Sequence, residues 1–241
     1  MGEVDAALHC LKDLPTRQID GLAFAAHLKR EDPSDSIITR SGTWNELPAG
    51  AIVGTGSVRR TSQLAALRPD LQFRPLVGNV DTRMRKLQEG VYDAIVLATA
   101  GLKRLGVLDR WSESEYRELH VEPLEILPAA GQAILVLETR ADSSAYEVLS
   151  GLNDCCTERS GLAERAFLRH FGTGCSVPVA AHAHIDSMRL RLDGLVASPD
   201  GTTVLRGTHE GDPEEADSIG IELATRLCDQ GARDLIPGSG R

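Results

Sequence analysis

Four arginines in one stretch of this chain have the type and spacing to hold an anion. Arg59, Arg60, Arg83 and Arg104 each lie within a few residues of a small-residue turn, and each turn follows a short apolar run. A guanidinium is a planar fork of donors that matches the two oxygens of a carboxylate or phosphate. From residue 54 to residue 104, nine Lys and Arg oppose four Asp and Glu, a local charge of +5 in a chain whose formal net charge is −9. Helices starting at such turns would add N–H groups that favour an anion. Any one of these arginines reads as a solvated helix-surface charge. Their recurrence after strand ends favours an anion site.

Two further places carry chemistry. Lys12 and Asp13 set a cation beside an acid at a strand end. By themselves they read as a local surface pair, which is worth little. Cys175 lies between Gly172, Gly174 and Pro178, in a tight turn from a helix to a strand. A cysteine on such a turn is a nucleophile or an attachment point, or simply a small residue filling the turn, and the residues alone do not separate these. Weaker patterns carry less. Residues 54–59 begin like a dinucleotide fingerprint, but Arg59 stands where the third glycine belongs. His182 and His184 share one face of a strand, and two ligands do not make a metal site. Cys155 and Cys156 read as buried at a junction, and Cys228 as core.

The elements that must position these residues alternate. Apolar runs at 51–53, 76–77 and 94–97 end in turns at 54–57, 78–79 and 99–101, with helical patterns after them that stop at Gly90 and Gly106. Strands alternating with helices predict parallel βαβ units, whose ligands sit outside the carboxyl ends of the strands. Before this stretch come a strand at 4–8, a proline-ended loop at 9–16, a strand at 22–28 and a charged crossing at 29–35. After it come a polar, helical or irregular segment at 109–122, with Trp111 and Tyr116 as packing residues, a turn at 127–132 and a strand at 133–138. The last third changes character. An amphipathic helix at 158–171 carries Leu162, Ala166 and Phe167 as its stripe. Strands follow at 177–185, 188–197 and 203–208, with a hairpin at Asp200-Gly201, then a helix at 213–230 and a disordered tail at 238–241. This predicts α+β, a small antiparallel sheet with helices on one side.

Composition bounds the rest. The 241 residues suffice for one large domain or two to three small ones. At 41% hydrophobic and 25% charged the chain is ordinary for a soluble globular protein. Its acidic balance argues against a general nucleic-acid binder. No apolar run approaches the roughly 20 residues that span a membrane, and the N-terminus lacks a signal-peptide charge pattern. Five cysteines without a CxxC pair suggest reduced thiols rather than disulfides or zinc. The expectation is a cytoplasmic protein.

Taken together, the motifs resemble the porphobilinogen deaminase (hydroxymethylbilane synthase) family. Residues 9–16 (HCLKDLPT) look like its HSxKDxPT loop, and 54–60 (GTGSVRR) like GTSSxRR. Residues 78–83 (GNVDTR) are similar to RGNxxTR, 92–106 to YDAIxLAxAGLxRLG, 127–132 to LPAxGQG, and 174–178 to GCxVP. The resemblance implies an α/β fold of two periplasmic-binding-protein-like lobes, the first incomplete, plus a small α+β C-terminal domain. Residues 1–30 with 131–150 would form domain 1, 31–127 domain 2, and 155–241 the cofactor-carrying domain. It implies a transferase of tetrapyrrole (heme and chlorophyll) biosynthesis that joins four porphobilinogen units head to tail, releasing ammonia at each addition, to give hydroxymethylbilane in a cleft between the lobes. It implies a dipyrromethane cofactor held through a thioether to Cys175. Asp13 matches the catalytic aspartate, whose carboxylate would stabilise the electrophilic azafulvene and the pyrrole cation and move their protons. Lys12, Thr55, Ser57, Arg59, Arg60, Asn79, Arg83 and Arg104 match groups that clamp the carboxylates of cofactor and substrate. No metal, nucleic acid or membrane is implied, and the chain would be a monomer.

Departures from the pattern are specific. The family's first strand, helix and arginine–serine turn have no counterpart before Met1, so the chain reads as a shortened or divergent member; a βα unit is about 20–30 residues. Val77 stands for the arginine of RGN, Cys10 and Gly56 for serines, and Ala133 for the second glycine of GQG. Losing one charge-assisted contact costs about 1.5–3 kcal/mol. The rival expectation is a non-catalytic polycarboxylate-binding module on the same scaffold, which keeps the arginines but needs neither Asp13 nor Cys175. A dinucleotide-binding enzyme is the third.

Overall fold

The computed structural model describes residues 4–172 and 177–236. In chain order its elements are β1 (Ala6–Cys10), β2 (Leu22–His27), β3 (Asp35–Thr39), β4 (Ile52–Gly54), α1 (Val58–Leu67), β5 (Gln72–Arg74), α2 (Val80–Gln88), β6 (Ala94–Ala98) and α3 (Thr99–Arg104). Then follow β7 (His120–Leu124), β8 (Leu135–Arg140), α4 (Ser144–Ser150), α5 (Cys155–His170), β9 (Val179–Asp186), β10 (Arg189–Ala197), β11 (Val204–Gly211) and α6 (Ala216–Asp229). The chain divides into two compact units, one of residues 1–31, 127–196 and 205–241, the other of 32–126 and 197–204.

In the second unit five strands form one sheet in the order β5-β4-β6-β3-β7. The strand–helix repeats give parallel pairing of β4 with β5 and with β6. β3 runs antiparallel to both β6 and β7, so the sheet is mixed. Successive residues of a strand point to opposite faces, and both faces are covered. Ile37, Val53 and Val96 join Leu64 of α1 on one side. Ile38, Ile95 and Leu97 join Met84 and Leu87 of α2 and Leu102 of α3 on the other. Tyr116 is buried there and Trp111 packs against it, as packing residues should.

Several sequence expectations shift here. The strand before α2 is Gln72–Arg74, not 76–77. Pro75 has no N–H to continue a ladder, and beyond it Leu76 turns into the core while Val77 is 68% exposed. Residues 99–101 are not a turn but the start of α3, which follows β6 directly. β3 begins inside the charged 29–35 segment, and β7 begins inside the polar 109–122 segment. Pro123 disguises β7, yet it sits on the sheet's edge, where proline is tolerated.

In the first unit β8 is the centre of a three-stranded sheet, antiparallel to β1 and β2. A second sheet runs β11-β10-β9, with β9 and β10 antiparallel. α5 and α6 pack with it through Ala163, Phe167, Leu223, Leu190, Leu192 and Val196. β1 begins at Ala6 rather than at residue 4, Val4 being 68% exposed. β8 begins at Leu135 rather than at residue 133, because Ala133 has a φ of 70°, which no strand residue adopts. Cys155 and Cys156 are exposed in the first turn of α5, not buried, since that turn puts Thr157 on its buried side. Cys228 packs partly buried against the core. Cys175 with its turn, and the expected tail at 238–241, lie outside the described residues.

Candidate functional site

The second unit builds a charged centre from the arginines read in the sequence and one acid that was not. Asp35, the first residue of β3, is fully buried. Arg59 Nη2 lies 2.8 Å from Asp35 Oδ2. Arg60 donates to Asp35 Oδ1 from Nη2 at 2.6 Å and from Nε at 3.0 Å, and from Nη1 to the Val96 carbonyl at 3.0 Å. Both arginines are themselves buried, at 4% and 6% exposure, in the first turn of α1. Burial depresses the Arg59 pKa, and the Asp35 carboxylate opposes that shift. Arg83, in α2, is also held below its usual value, by burial and then by the Arg60 charge. Two guanidiniums thus share one carboxylate, Arg83 lies close enough to feel the Arg60 charge, and the surplus among these four groups is positive.

The polar residues around them shape the turns. Ser57 is the N-cap of α1 and accepts from Arg60 N at 3.4 Å, while Thr55 Oγ1 accepts from Ser57 N at 3.2 Å. Asn79 caps α2, accepting from Thr82 N at 2.9 Å, and Arg83 Nε donates to the Gly78 carbonyl at 2.7 Å. These caps satisfy helix N–H groups and fix where Arg59, Arg60 and Arg83 emerge. Gly56 lies between, and a Cβ there would sit 3.1 Å from the Leu76 carbonyl, so a serine in its place would press on backbone. Arg104 is exposed in the last turn of α3.

The first unit holds the other pair. Leu11–Asp13 forms a single 3-10 turn after β1, anchored by Leu11, which is 1% exposed and whose N–H donates to the Ile134 carbonyl at 3.0 Å. Lys12 Nζ donates to Gln132 Oε1 at 3.3 Å, and the Asp13 carboxylate is exposed. Asp13 thus lies open to solvent, next in sequence to a lysine whose ammonium is hydrogen-bonded to Gln132.

His182 and His184 stack at 6.0 Å between ring centroids. Among the described residues no cluster of three or more His, Cys, Asp or Glu could hold a metal, and no helix is long and apolar enough to cross a membrane. Asp35 was missed in the sequence because it stands 24 residues before Arg59 in a charged segment that reads as a crossing. The signal was an acid at the start of Ser36-Ile37-Ile38.

Comparison with known proteins identifies the family. A family model described as porphobilinogen deaminase, dipyromethane cofactor binding domain, matches residues 1–147. A second, the porphobilinogen deaminase C-terminal domain, matches residues 159–229. The chain is 45% identical over 237 residues to a porphobilinogen deaminase of Thermus thermophilus, covering 97% of this chain and 77% of that protein. It is 46% identical over 237 residues to that of Chromobacterium violaceum, covering 98% and 75%. Among solved structures, a periplasmic binding protein of Salmonella typhimurium matches 66% of this chain and 67% of its own at 15% identity and a TM-score of 0.39. The chain spans about three quarters of the length of the relatives named. With two consecutive family models and this identity over nearly its whole length, the chain belongs to the porphobilinogen deaminase family.

Proposed function

We propose that this chain joins four porphobilinogen units head to tail into hydroxymethylbilane, with ammonia leaving at each addition. The observation that carries the reading is the buried Arg59–Asp35–Arg60 centre with Arg83 beside it. Porphobilinogen carries an acetate and a propionate, so the growing product is a polyanion, and a surplus of guanidiniums suits it. The same chemistry fits the dipyrromethane cofactor of the family, whose carboxylates would be held by Arg59, Arg60, Arg83 and Arg104, with Thr55, Ser57 and Asn79 shaping that surface and Cys175 as the thioether anchor. When bound, that group supplies the pyrrole to which the first unit is added.

The chain's own residues then divide the work. Lys12 neutralises a substrate carboxylate. Asp13 faces developing positive charge on pyrrole nitrogen and takes up the proton that the attacked ring loses as the new carbon–carbon bond forms. Removal of ammonia breaks the carbon–nitrogen bond and leaves that charge to be balanced. Residues 1–30 with 131–150, residues 31–127 and residues 155–241 are proposed as the three functional domains, in a cytoplasmic, monomeric transferase that binds no nucleic acid.

Asp13→Ala tests the reading. Turnover, followed as ammonia released per enzyme, should fall about 10²–10⁴-fold, with porphobilinogen binding by calorimetry little changed. The intact mass of the wild-type chain should carry an adduct that maps to Cys175 and is absent from Cys175→Ser. A wild-type chain that binds porphobilinogen, releases no ammonia and carries a bare thiol would instead be the polycarboxylate-binding module.

A further inference from the structure

We infer that Gln132 is a positioning residue for Lys12, and that the buried Glu164–Arg30 pair sets Gln132 in place; the inference rests on the function proposed for Lys12. Glu164, on α5, is fully buried. Its two oxygens receive Arg30 Nη1 at 2.5 Å, Arg30 Nη2 at 3.2 Å, Gly131 N at 2.6 Å and Ala183 N at 2.7 Å. Arg30 Nε in turn donates to the Gln132 carbonyl at 3.0 Å, and Arg30 N donates to Thr157 Oγ1 at 3.1 Å. The ion pair therefore grips two successive residues of one turn, the N–H of 131 and the carbonyl of 132. The side chain of Gln132, 1% exposed, accepts from Lys12 Nζ at 3.3 Å. The backbone is held too, since a Cβ on Gly131 would lie 3.1 Å from Lys12 N.

Fold stability is a poor reason for this arrangement, because apolar residues of like volume commonly replace a buried ion pair without loss. Aim is a better one. A neutral amide oxygen orients the ammonium without itself cancelling the charge, whereas a carboxylate at 132 would orient it and oppose that charge. Groups that fix a binding side chain are as much part of a site as the side chain itself.

The test is the reactivity of Lys12 toward acetic anhydride in competition with a free amine, read by peptide mapping of the purified chain, beside KM and kcat for porphobilinogen. In Gln132→Leu, Lys12 labelling should rise several-fold and KM about tenfold, with kcat changed less. In Gln132→Glu, labelling should return to the wild-type level while KM stays high. Gln132→Asn, which withdraws the amide by one methylene and keeps its polarity, should behave as Gln132→Leu and carries the test if that variant does not fold. Unchanged Lys12 labelling in Gln132→Asn, with only a lower unfolding midpoint, would overturn the inference. Because labelling needs no turnover, a wild-type chain that proved inactive would sink the proposed function while labelling still decided the role of Gln132.

Discussion

Asp35 shows how one residue governs a site that it was not expected to belong to. Its carboxylate holds Arg59 and Arg60 together, and all three are buried. Removing one member of a buried ion pair leaves its partners' charge uncompensated, at a cost of about 3–5 kcal/mol. Asp35→Asn keeps the shape but removes the charge and turns one of the two acceptor oxygens into an NH2 donor facing a guanidinium, so it should lower the urea unfolding free energy by about that amount. A loss below about 1 kcal/mol, the scale of an exposed pair, would mean that the two guanidiniums find other compensation. The arginines were legible because type, number and spacing recur within 50 residues. Asp35 was not, because its partners are brought to it by the antiparallel pairing of β3 with β6, which nothing local announces.

Among elements, the parts written by local pattern were readable. The apolar run of β6, the turns before α1 and α2, and the stops at Gly90 and Gly106, with φ of 77° and 64°, all appear where composition placed them. The parts decided by tertiary partners were not. β3 and β7 are short, one hidden among charges and one carrying Pro123, and each exists because a neighbouring strand completes its ladder. The turn before β8 lies between these cases. Ala133 takes a φ of 70°, and its neighbour Gly131 one of 73°. A left-handed conformation costs a residue with a Cβ about 1–2 kcal/mol, and part of that is offset by the lower chain entropy of alanine when unfolded. Ala133→Gly should therefore stabilise the chain by about 0.5–1 kcal/mol, a rise of roughly 2 °C in unfolding midpoint by calorimetry. A lower midpoint would show that packing of the Ala133 methyl, 6% exposed, outweighs the backbone strain.

Over the whole molecule, three histidines held below their ordinary pKa link stability to mild acid. His27, His170 and His182 all have pKa values below the ordinary histidine value of 6.5, and burial is the first cause for each. Arg165 adds to it at His27, where Glu158 and the Asn153 side chain oppose it. Glu164 opposes it at His182, with Arg30 and His184 reinforcing it. These rings stay neutral in the fold at a pH where the unfolded chain takes up protons. Between the depressed values and about 6.5 the unfolded state binds more protons, so stability rises with pH there. This contribution is complete above about pH 6.5 and is lost as pH falls through the folded values. The lowered carboxylates, such as Asp154 at the α5 N-cap, titrate below the ordinary aspartate value of 3.8 and act in a separate, more acidic window. His27 is the most enclosed of the three, 5% exposed and edge-on to Phe24 at 5.6 Å between ring centroids. His27→Gln removes its titration and keeps a polar side chain of similar length. Urea midpoints measured from pH 7.5 to pH 5 should fall with acid in the wild-type chain and fall less steeply in His27→Gln. Parallel slopes would move the proton-linked term to His182 and His170, and a flat wild-type profile would remove it from the histidines altogether.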